Sequence, residues 1–316
     1  MSRRGSMVEV NKTLVEQLSK VAEVRLAEPL ARHTTFGIGG PADVYVIVRS
    51  AAELRDSLAL CREAECAPLI LGNGSNLLVS DLGIRGVVID NRARGVEGPL
   101  PTTNGNSRFR VESGINLASL ARDLASKGFA GLEWAAGIPG TIGGAVVFNA
   151  SAYDGSMANV LKSVGIVCKT GLEYELGVEE LGLGYRESAF TRQLFVGHVI
   201  LWADLLLKQG DAAELQHRLD EMDRNRQASQ PRGRSAGSIF KNTHEYPAWW
   251  LLDQVGLRGH RIGDAEFSSM HPNFIINVGR ATAADVSALI DIAREKITSA
   301  FAVNLQTEIA FVGEGF

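Results

Sequence analysis

The segment Gly131-Leu-Glu-Trp-Ala-Ala-Gly-Ile-Pro-Gly-Thr-Ile-Gly-Gly-Ala145 carries five glycines. Two further clusters precede it, Gly37-Ile-Gly-Gly40 and Gly72-Asn-Gly-Ser-Asn76. The whole chain has 34 glycines in 316 residues, about 11% against a typical ~7%. Glycine lets backbone amides turn inward at positive φ and lets a phosphate approach without a Cβ clash. The clusters therefore predict either turns between strands or loops that cradle a dinucleotide.

The common nucleotide-binding motifs do not account for these clusters. Gly37, Gly39 and Ala42 match G-x-G-x-x-A, but a predicted strand follows where a Rossmann motif requires a helix. The sequence contains no G-K-[ST], which excludes a Walker loop. We therefore expect another kind of pyrophosphate binder, in which loops from two lobes clamp one dinucleotide between them.

Length, charge and hydropathy exclude several classes of protein. A chain of 316 residues is about twice the ~150-residue prior for one domain and predicts two or three lobes. With 32 Lys and Arg against 36 Asp and Glu, there is no basic excess for nucleic acid or an anionic membrane. The longest apolar run, 199–207, contains Asp204 and is too short to span a bilayer. No apolar signal core follows Met1. We expect a cytoplasmic monomer.

Cysteine and histidine usage predicts neither disulfides nor a metal site. The three cysteines, Cys61, Cys66 and Cys168, lack CxxC spacing and are expected to be reduced thiols. The six histidines show no ligand spacing with Cys, Asp or Glu; they are His33, His198, His217, His244, His260 and His271.

Hydrophobic periodicity predicts a mixed α+β chain. Strands are expected over 43–48, 68–71, 86–90, 108–112, 145–149, 164–170, 198–207, 274–278 and 308–312. Helices are expected over 8–24, 50–65, 116–127, 211–226, 247–255 and 283–301. The stretch 91–107 is predicted to be a boundary loop and 231–234 a linker. The resulting division is an N-terminal helix (1–27) followed by three lobes, 28–100, 101–210 and 211–316.

Seven motifs resemble, in sequence and in order, those of the UDP-N-acetylenolpyruvoylglucosamine reductase family, the MurB family. Three contain the glycine clusters: Thr34-Thr-Phe-Gly-Ile-Gly-Gly-Pro-Ala-Asp43, Leu71-Gly-Asn-Gly-Ser-Asn76 and the segment from Gly131 to Ala145. The others are Tyr185-Arg-Glu-Ser188, Gly237-Ser-Ile-Phe-Lys-Asn242, His271-Pro-Asn-Phe-Ile-Ile-Asn277 and Leu305-Gln-Thr-Glu308. The resemblance extends from about residue 28 to residue 313.

This resemblance implies an FAD-binding fold of the vanillyl-alcohol oxidase type. Two α+β lobes would grip FAD, and a C-terminal α+β lobe would bind the substrate. It also implies that the glycine clusters supply the cofactor contacts, from Thr35, Gly39, Gly40, Gly72, Asn73, Gly74, Ser75, Asn76, Gly137, Pro139, Gly140, Thr141, Gly143 and Gly144.

The implied reaction uses NADPH and bound FAD to reduce UDP-N-acetylglucosamine enolpyruvate to UDP-N-acetylmuramate, in peptidoglycan precursor synthesis. Hydride added β to the substrate carboxylate creates an enolate-like charge that must be stabilised and then protonated at the α carbon. Arg186 matches the family's arginine, whose planar fork suits a carboxylate. Glu308 matches the second stabiliser, and desolvation would raise its pKa so that it donates a hydrogen bond. Ser238 matches the proton donor, with water or Lys241 as the expected relay.

The resemblance implies four contacts with the nucleotide-sugar substrate. Asn242 and Asn273 match substrate-binding positions, and Tyr153 matches a tyrosine near the diphosphate. Arg226 lies where many relatives carry Arg-x-x-Lys, but the fourth residue here is Ser229. The lysine contact to phosphate is therefore missing.

Three other features bear on this third lobe. Arg232 and Arg234 could compensate for the missing lysine, although a solvated linker explains them equally well. The short passage 203–230 indicates the shorter type of the family, which lacks an extra lid. Trp249 and Trp250 stand where the family more often has a small and a basic residue. They could line the mouth of the substrate site, but we expect both to pack in the core.

Two other functions remain open at this point. Another flavin oxidoreductase on the same scaffold, such as an alcohol or sugar oxidase, would share the glycine loops but would not require Arg186, Ser238 and Glu308 together. A nucleotide-sugar binding module without a redox role would be colourless. Taken without the resemblance, Arg186 reads as a surface arginine in a turn, Glu308 as an edge-strand residue and Gly237-Ser238 as a turn.

Overall fold

The computed structural model describes residues 12–102 and 105–316. Its first lobe contains α1 (Lys12–Val21), β1 (Glu23–Pro29), β2 (Pro41–Val48), α2 (Ala51–Glu63), β3 (Leu69–Leu71), β4 (Leu77–Val79) and β5 (Ile84–Asn91). Four of these strands form a sheet in the order β1-β2-β5-β3. Strand β2 pairs antiparallel with β1 and parallel with β5, and β5 also pairs parallel with β3. The α/β unit predicted for this region is confirmed.

Apolar runs and a side-chain cap explain why these elements form. Every residue from Val44 to Val48 is buried, as expected for a strand covered on both faces. Helix α2 begins after Ser50, whose side chain accepts a hydrogen bond from the Glu53 amide, a cap worth about 1 kcal/mol. Leu14 and Leu18 of α1 join the same core. The helix predicted over 8–24 is thus confirmed from Lys12 to Val21, and residues 8–11 lie outside the described part.

Strand β1 was not predicted: its residues 23–27 fall in the segment expected to be an N-terminal helix (1–27). Its sequence, Glu-Val-Arg-Leu-Ala-Glu-Pro, is largely exposed and carries three charges in seven residues. It lies at the edge of the sheet, where one side of the backbone needs no strand partner and charged side chains are common. An edge strand of this kind lacks the alternation that identifies half-buried strands.

The second lobe is built on an antiparallel sheet with the order β12-β11-β13-β7-β6, to which β8 adds by pairing with β13. Its elements are β6 (Val96–Pro101), β7 (Ser107–Glu112), α3 (Leu117–Ser126), β8 (Phe129–Ala130), α4 (Ile142–Val147), β9 (Ser151–Ala152), β10 (Gly155–Ser156), β11 (Leu161–Val167), β12 (Glu173–Gly177), β13 (Val199–Gln209) and α5 (Ala212–Ser229). Short 3-10 turns lie at Leu30–Arg32 in the first lobe and at Glu133–Ala135, Met157–Asn159 and Val178–Leu181 here.

Two sequence predictions in this lobe are wrong. The strand expected over 145–149 is helical, because Thr141 caps the short helix α4 by accepting a hydrogen bond from the Gly144 amide. The boundary loop expected over 91–107 contains strand β6, which pairs antiparallel with β7. Its Gly-Pro pair falls where the register with β7 shifts, so the strand tolerates residues that normally interrupt one.

The third lobe contains α6 (Ala248–Gln254), β14 (Arg261–Ile262), β15 (Ala265–Phe267), β16 (Ile275–Asn277), α7 (Ala283–Phe301) and β17 (Ala310–Val312). Strands β14, β15 and β16 form a small antiparallel sheet. Strand β17 returns to the first lobe and pairs in parallel with β4. The core of this lobe also includes Phe36, Ile38 and Leu78, so the first and third lobes share buried contacts.

Helix α5 packs on the second lobe. Its buried residues Leu215 and Leu219 belong to the core that also contains Phe109 and Leu120. The division made from sequence begins the third lobe at residue 211, before this helix. Because the helix buries its apolar side against the second core, we propose that the third lobe begins after Ser229.

The expectation for the tryptophan pair is right for one residue and wrong for the other. Trp250 stacks on Tyr246, with ring centroids 5.1 Å apart, and packs against the third core. Trp249 is 42% exposed. The two residues are adjacent on helix α6, so they point about 100° apart and only one can face the core.

Among the described helices, none is long and apolar enough to cross a membrane.

Candidate active site

A cavity of about 370 Å³ lies where the three lobes meet. Its wall contains residues from the second and third glycine clusters together with the three predicted catalytic side chains. The predicted site residues that it brings together are Gly72, Asn73, Gly74, Ser75, Asn76, Pro139, Gly140, Thr141, Gly143, Gly144, Arg186, Arg226, Ser238 and Glu308.

The second and third glycine clusters contact each other along one wall of the cavity. The Ser75 hydroxyl donates to the Pro139 carbonyl at 3.0 Å, and the Asn73 amide donates to the Gly140 carbonyl at 3.4 Å. A Cβ added at Gly72 would lie 2.6 Å from Thr141 Oγ1, so the two loops meet only because this residue is glycine. The contact creates a surface of backbone groups that a phosphate could approach closely.

Arg186 and Glu308 form an ion pair inside the cavity. Arg186 Nε lies 2.8 Å from Glu308 Oε1, although the N–H direction does not meet the oxygen squarely enough for a hydrogen bond. Arg186 Nη1 donates to Ser151, to its hydroxyl at 3.0 Å and to its carbonyl at 3.2 Å. A cation and a carboxyl group, both about four-fifths buried, are therefore held side by side.

Burial controls the ionisation of Glu308. Removal from water raises the pKa of the Glu308 carboxyl above its usual value, and the opposing charges of Arg186 and Lys241 lower it by less. The raised pKa favours the protonated form, which can donate a hydrogen bond to a developing negative charge. This is the property that the sequence analysis expected of Glu308.

Ser238 lies on an extended segment that runs beside the Glu308 segment. The Glu308 amide donates to the Ile239 carbonyl at 2.8 Å, and Phe240 forms an isolated bridge with Thr307. Lys241 lies 3.6 Å from the Glu187 carboxylate and contributes to the electrostatics of Glu308. The contacts of Lys241 therefore connect it with carboxylates rather than with the Ser238 hydroxyl.

Two family models match the chain. One, the C-terminal domain of UDP-N-acetylenolpyruvoylglucosamine reductase, matches residues 228–312, and the other, an FAD binding domain, matches residues 42–177. The reductase of Clostridium kluyveri is 36% identical over 301 residues, which cover 95% of this chain and 96% of that protein. The reductase of Alkaliphilus oremlandii is 39% identical over 292 residues, 92% of this chain and 94% of the relative. This chain belongs to the UDP-N-acetylenolpyruvoylglucosamine reductase family.

A solved structure supports the same assignment. The crystal structure of the reductase from Thermus caldophilus is 36% identical to this member of the reductase family and superposes with a TM-score of 0.73. The match covers 92% of this chain and 98% of the Thermus chain. Together with the FAD binding domain, it confirms the predicted α+β, FAD-binding fold of the vanillyl-alcohol oxidase type.

The cavity of this family member has the features that FAD requires. Gly237 lies in the wall at φ +79°, and a Cβ added there would meet no heavy atom within 4 Å. Gly140 is at φ +144°, so its backbone adopts a conformation that other residues rarely take. The loops 72–76 and 139–144 line the cavity with glycines and with short polar side chains, and they would hold the cofactor.

The first glycine cluster and Gly137 lie outside the cavity wall. A Cβ at Gly40 would lie 2.2 Å from the Asp81 carbonyl, so this glycine permits close packing of two turns. Gly39 packs beside Val79 in the same region. A Cβ added at Gly137 would lie 2.7 Å from Asp223 Oδ1 and 3.1 Å from Arg226 Cδ. These glycines shape the loops that carry the site.

Thr35 lines a neighbouring cavity of about 550 Å³, which shares Gly72 and Asn73 with the first. The Thr35 hydroxyl donates to the Ser235 carbonyl at 2.7 Å, a link between the first and third lobes. The side chain thus ties the two lobes together beside the site.

Tyr153, Asn242 and Asn273 also lie outside the wall. The Tyr153 hydroxyl donates to the Met222 carbonyl at 2.9 Å, and its side chain is 41% exposed. Asn242 accepts a hydrogen bond from the Ala248 amide at the start of α6. Asn273 is buried, accepting from the Phe240 amide and donating to the Phe240 carbonyl. The two asparagines therefore brace the segment that carries Ser238.

None of the residues expected at or in place of the family's lysine lines the cavity. The Ser229 hydroxyl donates to the Asn225 carbonyl, back along its own helix. Arg232 and Arg234 are exposed and do not line the cavity. Gln230 does line it, beside Arg226. Gln230 was not predicted as a site residue, because a glutamine before a proline carries no distinctive signal.

Several other wall residues were missed, including Asn91, Ser151, Phe190 and His198. They come from loops and strand ends that are distant in sequence, and none belongs to a glycine cluster. For Ser151 a weak signal exists, because it lies two residues before Tyr153, a position that the resemblance selects.

Proposed function

We propose that Arg186, Glu308 and Ser238 are the catalytic residues of an NADPH-dependent, FAD-containing reductase. It would convert UDP-N-acetylglucosamine enolpyruvate to UDP-N-acetylmuramate, in peptidoglycan precursor synthesis, as a cytoplasmic monomer. The observation that carries this proposal is the convergence of these three side chains on one cavity with two glycine loops. Residues 203–230 are occupied by the end of β13 and by α5, which supports the shorter, lid-lacking type.

The three side chains divide the chemistry among them. FAD, when bound, would take hydride from NADPH and supply it to the carbon β to the substrate carboxylate. Arg186 would hold that carboxylate, and its fixed charge would stabilise the enolate-like state that hydride addition creates. Protonated Glu308 would donate a hydrogen bond to the same oxygens, and the Ser238 hydroxyl would deliver a proton to the α carbon. Stabilisation is strong in this setting because the side chains of Arg186 and Glu308 are both largely shielded from water.

A direct assay tests the proposed function. Purified protein is mixed with NADPH and UDP-N-acetylglucosamine enolpyruvate, and loss of NADPH absorbance is followed alongside the visible flavin bands. We expect NADPH oxidation that depends on the enolpyruvyl nucleotide. A yellow protein that oxidises no NADPH with this substrate, but oxidises alcohols or sugars, would support the oxidase alternative. A colourless protein would support the binding module.

The pH dependence of substrate reduction follows from the pKa of Glu308. Because burial raises that pKa, the protonated donor persists to higher pH than for an ordinary glutamate, and it is lost as pH rises through the raised value. Reoxidation of the prereduced enzyme by the enolpyruvyl nucleotide should therefore slow at high pH, by about tenfold per pH unit above that pKa.

Stopped-flow measurement across the pH range, with wild type and Glu308→Gln, checks this expectation. The Glu308→Gln variant should lose this fall in rate at high pH, the high-pH limb of the profile, because an amide does not titrate. A rate that instead falls with decreasing pH in the wild type alone would show that Glu308 acts as a carboxylate.

Arg226 carries a charge that suits the substrate's diphosphate. Its guanidinium lines the cavity, and among the described residues no carboxylate lies within ion-pair distance of it. Burial lowers the pKa of the Arg226 guanidinium, and nearby Arg186 lowers it further. A half-buried cation without a carboxylate partner gains much from binding an anion.

We expect Arg226→Met to raise KM for the nucleotide sugar by roughly 10- to 100-fold while changing kcat much less, as for loss of a charge-assisted hydrogen bond. Arg224→Met is the matched control, since Arg224 is exposed on the same helix and donates to the Asp220 carbonyl. Steady-state kinetics of both variants give KM and kcat separately. An unchanged KM in Arg226→Met would remove this residue from the substrate site.

A further inference from the structure

The backbone of Arg186 adopts a conformation that needs support. Its φ is +55°, in the left-handed region that residues other than glycine rarely occupy. It lies in a tight turn in which the Gly184 amide donates to the Glu187 carbonyl and the Glu187 amide donates back to Gly184. A strained residue at a catalytic position persists only when neighbouring contacts fix it.

Two side-chain hydrogen bonds fix the ends of this turn against the segment 147–151. The Ser188 hydroxyl donates to the Val147 carbonyl at 2.6 Å, and Ser188 is fully buried. The Asn149 amide donates to the Gly184 carbonyl at 2.8 Å. Both bonds join side chains to backbone across more than 30 residues of sequence, so they set the position of the turn but not the direction of the arginine side chain.

Ser151 is the contact that fixes that direction. Arg186 Nη1 donates to the Ser151 hydroxyl at 3.0 Å and to the Ser151 carbonyl at 3.2 Å. On the other side, Nε faces Glu308 at 2.8 Å. Among the described residues, no hydrogen bond engages Nη2, so this end of the guanidinium fork is available for a ligand.

The surroundings of Ser151 make it a rigid support. It lies in strand β9, which pairs with β10 so that Ser151 faces Ser156 across a tight hairpin. The turn residues Tyr153 and Asp154 have positive φ, and the Tyr153 hydroxyl anchors the hairpin to α5 through Met222. An acceptor on such a hairpin holds its partner with little freedom.

We propose that Ser151 is a positioning residue for the catalytic arginine. Its hydroxyl, together with its own carbonyl, holds Nη1 so that the remaining N–H groups of Arg186 point at the substrate carboxylate. This inference rests on the proposed function, because it assigns Ser151 a role in the step that uses Arg186. It predicts a defect confined to the half-reaction in which the enolpyruvyl substrate is reduced.

The test compares three variants by anaerobic stopped-flow. In Ser151→Ala we expect reoxidation of the prereduced enzyme by UDP-N-acetylglucosamine enolpyruvate to slow by about tenfold, the loss of one charge-assisted hydrogen bond. Reduction of the flavin by NADPH should stay within about twofold of wild type, because the proposed role of Arg186 is confined to reduction of the enolpyruvyl substrate. Ser151→Thr, which keeps the hydroxyl, should recover most of the rate.

Ser156→Ala is the matched control for the hairpin itself. Ser156 pairs with Ser151, but its hydroxyl bonds to Asn159 and not to the cavity. Both half-reactions of Ser156→Ala should match the wild type. Equal slowing in Ser156→Ala and Ser151→Ala, equal loss of both half-reactions, or an unchanged Ser151→Ala would each overturn the proposal. Failure of the wild type to use the enolpyruvyl nucleotide would instead refute the proposed function.

Discussion

The flavin of the Ser238→Ala variant will be reduced by NADPH at nearly the wild-type rate, but its hydride will be transferred to the enolpyruvyl substrate far more slowly. We expect reoxidation by UDP-N-acetylglucosamine enolpyruvate to slow by roughly 10²- to 10⁴-fold, the range for removal of a positioned proton donor. The reason is geometric. Ser238 lies in the cavity wall on a segment that runs beside Glu308, and Asn273 fixes that segment through two hydrogen bonds to Phe240.

Anaerobic stopped-flow of the two half-reactions measures this effect. Ser229→Ala is the matched control, because within the described part of the chain the exposed Ser229 hydroxyl bonds only to carbonyls of its own helix. If Ser238→Ala slows both half-reactions to the same extent, the serine supports the fold of the site and is not the proton donor.

Replacement of Arg186 should be nearly as damaging. We expect Arg186→Met to slow substrate reduction by roughly 10²- to 10³-fold, as found for removal of a group that stabilises an oxyanion. Arg186→Lys keeps the charge but loses the fork, so it should recover only part of the rate. A full recovery would mean that charge alone matters and that the contacts of Nη1 with Ser151 are incidental.

The control for this experiment is Arg192→Met, on the same loop. Arg192 donates to the Gly182 carbonyl and lies 3.7 Å from Glu187, outside the cavity wall. The pH dependence of substrate reduction in the Arg186 variants is an independent test. Because Arg186 lowers the pKa of Glu308, its removal should move the high-pH limb of substrate reduction to still higher pH. A limb that stays in place would show that the two groups do not interact.

Much of the fold could be predicted from the sequence, because most central elements carry a strong apolar pattern. Helix α7 is found at the predicted 283–301, and β2 lies within a few residues of the predicted strand. Elements without such a pattern were missed or misassigned. Strand β6 interrupts its pairing at a Gly-Pro pair, and α4 is a six-residue helix of glycine and β-branched residues that reads as a strand.

The site was predictable to the extent that it depends on glycine. The clusters at 72–76 and 137–144 mark loops where backbone packs tightly, and most of their residues line the cavity. The cluster at 37–40 gave the same signal, yet Gly39 and Gly40 lie outside the cavity wall and close to neighbouring chain segments. Composition cannot separate these cases, because glycine permits close approach by a ligand and by another chain segment equally.

Side-chain partners could not be read from the sequence at all. The pairing of Arg186 with Glu308 joins residues 122 positions apart, and it depends on how the second and third lobes meet. Asn273 was selected as a substrate contact; in the structure its amide accepts one hydrogen bond from the Phe240 backbone and donates one to it, which the sequence did not indicate. Both outcomes follow from tertiary packing.

The strand pairing between β4 and β17 restricts how ligands can enter. Asn76 of the second glycine cluster donates to the Glu308 carbonyl and accepts, through its own carbonyl, from the Ala310 amide. A hinge that parted the first lobe from the third would have to break this ladder and expose its backbone groups to water. The loop 72–76 and the segment that carries Glu308 are therefore joined by hydrogen bonds and should move together. We expect any opening of the cavity to come from movement of the second lobe, which contributes Arg186 to the cavity wall.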